Sequence, residues 1–101
     1  MMHHELDEIK MIFHERARST FFTIYQTYVR TLSSMNRQAD ENVYQQSSNR
    51  YCAELRYHLK SITTELLERS PPTVNRNELN SVLGFLSVAY EREFDQKIKS
   101  L

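Results

Sequence analysis

The chain has 101 residues, 13 acidic and 13 basic side chains, one cysteine, one glycine and two prolines. That length makes one domain able to bury about two-thirds of its unfolded surface without a covalent staple. The single cysteine excludes an internal disulfide, and so few chain-reversing residues exclude a sheet protein, which needs a turn every ~8–12 positions.

The charge balance is local as well as global. Residues 1–35 carry four acids and four bases, 36–69 five of each, and 70–101 four of each. Nucleic-acid binding relies on a concentrated basic face, and no whole segment supplies one. The one acid-free basic stretch runs from Arg16 to Gln38, with Arg16, Arg18, Arg30 and Arg37. No apolar run approaches the ~20 residues of a membrane span. Met1-Met2-His3-His4 lacks the positive start of a signal peptide. With one unpaired cysteine, the expected location is cytoplasmic or nuclear.

The first predicted helix covers about 5–34. Leu6, Ile9, Phe13, Ala17, Phe21, Ile24, Tyr28 and Leu32 recur at steps of three and four, the helical period. Glu5, Asp7 and Glu8 suit the positive end of the helix dipole. Phe22, Tyr25 and Val29 form a second row, so residues 21–29 are apolar around more than half the helix, as in a helix with two neighbours.

The second predicted helix covers about 40–69, on the stripe Val43, Ser47, Tyr51, Leu55, Leu59, Ile62 and Leu66. Cys52 and Ala53 are small, and a partner helix is expected to approach there. Tyr44, Tyr51 and His58, seven apart, read as a polar-aromatic edge. Between the two helices Asn36 is a candidate terminator and Asp40 a candidate cap, yet the apolar phase continues through Met35, Ala39 and Val43. A single helix of ~65 residues, near 100 Å, is the alternative to the favoured hairpin.

Ser70-Pro71-Pro72 ends the second helix, because a proline excludes its predecessor from helical geometry. Within the 70–75 linker, Asn75 is the predicted N-cap of a third helix over 76–100. Glu78 stands at the capping-box position, and Val74 with Leu79 at the staple positions. Its stripe is Leu79, Val82/Leu83, Leu86, Tyr90, Phe94, Ile98 and Leu101, and Lys97 and Lys99 suit its C-terminal dipole. Gly84 costs about 1 kcal/mol in mid-helix, and close approach of another helix is the expected compensation.

Motifs for chemistry fail on inspection. His14-Glu15-Arg16-Ala17-Arg18 begins like a zinc-protease motif but has arginine where the second histidine ligand belongs. His3, His4 and Asp7 lack a further nearby ligand. Cys52 and His58, six apart, fall on different helix faces, so a structural cysteine is preferred to a thiol nucleophile. Ser70-Pro71 has the form of a proline-directed phosphorylation site, but a plain helix stop is the preferred reading.

What remains is aromatic content without tryptophan: six tyrosines and five phenylalanines. Phe22, Tyr25 and Val29 lie beside the first stripe, while Tyr57 and Phe85 lie off the second and third. These five are the candidate partner-binding residues, covered either by the third helix or by another chain. Nine arginines against four lysines suit interface ion pairs.

The expected fold is all-α: three long helices, an antiparallel helical hairpin plus a third helix, in one helical bundle of coiled-coil character. The expected function is a non-enzymatic protein–protein interaction module, an adaptor or scaffold subunit of a complex. Its expected partners are other protein chains, a homodimer included, with no cofactor, metal ion, membrane or small-molecule substrate. The alternative is a nucleic-acid-associated helical regulatory protein using an Arg-rich face.

Overall fold

The computed structural model describes residues 2–34 and 41–100, and side chains over 5–34 and 42–100. Three helices form: α1 (Met2–Ser34), α2 (Glu41–Glu68) and α3 (Arg76–Lys99). Each pair is in contact. Together they make a rod of 57 × 19 × 18 Å.

Cross-helix pairs fix the directions. Arg16 meets Glu65, and Thr31 meets Tyr51, so the numbers fall along α2 as they rise along α1. The two helices are antiparallel, and the hairpin replaces the single long helix. Phe13 and Phe21 both contact Tyr90, and Phe21 also contacts Phe94, so α3 runs parallel to α1. The α1–α2 junction, with Met35, Asn36, Ala39 and Asp40, lies outside the described residues.

The core is the set of stripes. Ile9, Phe13, Ala17, Phe21, Ile24 and Tyr28 from α1 are buried with Tyr51, Leu55, Leu59, Ile62 and Leu66 from α2 and Leu79, Leu83, Tyr90, Phe94 and Ile98 from α3. Helix side chains three and four apart share a face, so each helix delivers one continuous apolar line to the axis. Leu6, Leu32, Val74 and Leu86 are half-buried against its margins. Two stripe positions of α2 depart from expectation: Val43 is exposed and Ser47 is half-buried. The antiparallel register set by Tyr28 and Tyr51 places Val43 past Ser34, so no described turn of α1 stands opposite it.

The linker behaves as its residues dictate. The Ser70 backbone N–H and its hydroxyl both donate to Leu67 O, at 3.3 and 2.7 Å, closing α2 before the prolines. A turn from Pro71 O to the Val74 N–H follows. Asn75 then caps α3 from an extended backbone, φ −70 and ψ 114, its side-chain oxygen accepting from the N–H groups of Asn77 and Glu78 at 3.0 and 3.1 Å. That satisfies two of the donors a helix start leaves without partners. Thr73 also donates to Glu5 of α1, tying the linker to the start of the bundle.

The small residues correct two expectations. Ala53 is exposed and lies off the packed face, while Cys52 is half-buried against the core. Gly84 is exposed too, and a Cβ built on it meets nothing within 4 Å. No neighbour therefore compensates for this glycine. Gly84→Ala is expected to stabilise the fold by about 1 kcal/mol through helix propensity and reduced unfolded-state entropy. In a domain of this size that raises Tm by ~4–8 °C in a calorimetric scan.

Candidate docking face between the first and third helices

The parallel pair α1 and α3 leaves an open groove along one side of the rod. Its volume is about 540 Å³, and its walls are His14, Arg18 and Phe22 from α1 and Leu86, Ala89, Glu93 and Lys97 from α3, above a floor of Phe21 and Tyr90. Groove and floor arise from one fact of sequence. In α1 the residues at 14, 18, 22, 25 and 29 form a second helical row beside the core stripe, and 86, 89, 93 and 97 do the same in α3.

The rows are built from inside outward. Phe94 is fully buried and meets the Phe21 ring edge-on at 5.4 Å and 87°, and the Tyr25 ring at 6.4 Å and 86°. Lys97 lays its ammonium over both rings, 5.7 Å from Phe21 and 5.0 Å from Tyr25, an arrangement that keeps a charge in water while its stem covers apolar surface. Lower down, His14 Nδ1 and the Tyr90 hydroxyl are 2.7 Å apart across the helix pair. The sequence gives no sign of that bond, because His14 reads there as part of a solvated face; only the third helix brings Tyr90 to it.

The five candidate residues do not form one patch. Tyr25 and Val29 are half-buried, so α3 covers only part of the second row. Phe22 is left 59% exposed, between the groove and a shallower hollow lined by Tyr25, Gln26, Val29 and Arg30. Phe85, 76% exposed, is not among the groove residues and lies on the outer side of α3, about 100° around the axis from Leu86. Tyr57, 71% exposed, is apart from them on the outer surface of α2, above a hollow shared with Lys60, Ser61, Thr64 and Glu68. Met11, 63% exposed, escaped the sequence reading. Its signal was present: it precedes His14 by three residues and Arg18 by seven, which places it on the groove row.

The described arginines are spread around the rod. Arg16 is tied to Glu65 at 2.6 Å and Arg56 to Glu91 at 2.9 Å. Arg18 and Arg30 are twelve residues apart on α1, about 120° around its axis. Arg37 lies outside the described residues. Among those residues no group of three or more His, Cys, Asp or Glu side chains could hold a metal ion, and no helix is long and apolar enough to cross a membrane. The His3 and His4 side chains are outside the described set.

Titratable groups in this bundle serve the fold. Hydrogen bonding from Arg16 holds the Glu65 carboxyl below its ordinary 4.5; that contribution is present above pH 4.5 and lost as acid protonates the group. Burial pushes the Cys52 thiol above its ordinary 9.0, with the Asp95 carboxylate adding to the push. Burial likewise pushes the Tyr28 phenol above 10.0. Both groups hold their protons more tightly folded than unfolded, so stability is fully present below their ordinary values and falls as pH rises through the raised ones. Urea midpoints are therefore expected to drop between pH 7 and about pH 10.5. Cys52→Ala is expected to remove the part of that drop that begins near 9.0.

Comparison of the chain with protein-family models, with curated proteins and with solved structures finds no match.

Proposed function

We propose that this protein is a non-enzymatic helical interaction module, a small adaptor or scaffold subunit, whose α1/α3 face docks a helix of another protein chain. The carrying observation is the groove edged by Phe22, an aromatic side chain 59% exposed where the third helix ends its cover. Large apolar side chains grouped around a concave strip, with charged groups at the margin, are the features of a protein-binding surface. A groove between two helices accepts an amphipathic helix, whose apolar side chains at three- and four-residue spacing fall along it. Arg18 and Lys97 stand at the rim, where they add orientation more than affinity. The lone cysteine suits work in the cytoplasm or nucleus.

Site-specific photo-crosslinking tests the reading. The full chain carries a benzophenone amino acid at position 22 or, as a control on α2, at position 60, and is expressed in its source organism. Protein adducts are expected at position 22; excess wild-type chain, but not a Phe22→Asp variant, suppresses adducts with a different chain and is itself captured where the partner is a second copy. Adduct levels at position 22 no higher than at position 60 would overturn the proposal.

A further inference from the structure

The outward row of α1 reads the same in both directions. Glu8, Met11, Glu15, Arg18, Phe22 and Tyr25 are separated by 3, 4, 3, 4 and 3 residues, a heptad spacing. A two-fold axis across the helix between positions 15 and 18 lays this row on its own reverse. Position 11 then meets 22, position 15 meets 18, and position 8 meets 25.

The chemistry at those positions is self-complementary. Met11 and Phe22, 63% and 59% exposed, meet as an apolar pair at both ends of the seam. Glu15 meets Arg18 twice. Both are exposed, and neither has an ion-pair partner among the described residues. Glu8 falls on Tyr25, where the Lys97 ammonium already stands 5.0 Å above the ring. A parallel pairing would instead set Glu15 against Glu15 and Arg18 against Arg18, which like-charge repulsion disfavours.

We infer that the α1 side of this face is covered by a second copy of the chain, joined through an antiparallel α1–α1 seam in which Met11 packs on Phe22 and Glu15 pairs with Arg18. The inference rests on the reading of the α1/α3 face as a docking surface and names its partner. The pairing is isologous, so every contact occurs twice and the assembly closes at two chains. One helix face per copy is a small interface, and a dissociation constant in about the micromolar range is expected.

Sedimentation equilibrium on the full chain, from about 1 to 500 µM, tests it with charge-swapped variants. Glu15→Arg or Arg18→Glu alone replaces two attractive pairs with two repulsive ones and is expected to raise the dissociation constant at least about tenfold. The double variant Glu15→Arg/Arg18→Glu is expected to dimerise as the wild type does. An equimolar mixture of the two single variants is expected to form a heterodimer of wild-type affinity, which also shows that both variants fold. A chain that stays monomeric overturns the inference, as does a dimer indifferent to the swaps, or a mixture that binds more tightly than wild type, the mark of a parallel seam. Monomeric behaviour leaves docking of a different chain standing, and the adducts at position 22 read that separately.

Discussion

Phe94→Ala is expected to cost about 3–5 kcal/mol, the range for truncating a fully buried phenylalanine. That is at least about a fifth of the ~5–15 kcal/mol that holds a domain of this kind together. Phe94 has no exposed surface, and two aromatic neighbours, Phe21 and Tyr25, lean their faces or edges on it. Removing the ring leaves a cavity and unseats both, together with the Lys97 ammonium resting over them. Urea denaturation is expected to show a lower midpoint with unchanged slope. Phe94→Leu, which retains much of the volume, is expected to cost less than half as much. Equal losses in the two variants would mean that volume at this site is unimportant, contrary to the packing described.

Ala17→Leu is the second large effect, and it acts through excess rather than deficit. Ala17 is completely buried in the middle of the α1 stripe, between Phe13 and Phe21. A methyl group is the whole side chain there, so three added carbons must displace a neighbouring helix. Overpacking of this kind costs about 1–3 kcal/mol, or a fall of ~4–8 °C in Tm for each kcal/mol. The same change at the exposed Ala53 is expected to leave Tm within a few degrees, since surface substitutions fall within about 0.5 kcal/mol. A thermal scan of the two variants side by side separates a close-packed position from a solvent-facing one.

That contrast shows what a sequence does and does not reveal. The helix boundaries follow from local chemistry: the double proline, the Asn75 cap and the apolar period place α2 and α3 within one residue of their observed ends, while α1 begins at Met2 rather than near position 5. The stripes are legible because burial repeats with the helix, and Phe13, Leu55 and Phe94 fall where the period puts them. Which small residue sits at the closest packing is not legible. Gly84 and Ala53 look like points of approach by size alone, yet both are exposed, and among the described residues Ala17 is a small residue that is fully buried. Size says what a position tolerates, whereas the register between helices decides which positions face each other.

The face between α1 and α3 was half legible for the same reason. The second row at Phe22, Tyr25 and Val29 is visible in α1 alone, and its excess of apolar surface over one neighbour's needs follows directly. How much of it α3 covers depends on tertiary geometry: Tyr25 turns against Phe94, and Phe22 does not share that cover. Met11 is not marked by the aromatic rows, and single exposed apolar residues on a helix are ordinary. Tyr57 resembled Phe22 and Phe85 in lying off its stripe, but the stripe alone does not say which side of the bundle a residue occupies.

The up-down-up course of the helices has a mechanical consequence. With α3 parallel to α1, the start of the first helix and the end of the last lie at opposite poles of a rod 57 Å long. Tension applied between those poles loads the inter-helix surfaces along their length, in shear, so many side-chain contacts resist at once instead of parting one by one as in a peeled zipper. Forced unfolding is set by the barrier to rupture, and for this chain that barrier should be higher when pulled pole to pole than when pulled between Glu5 and Glu68, which share one end.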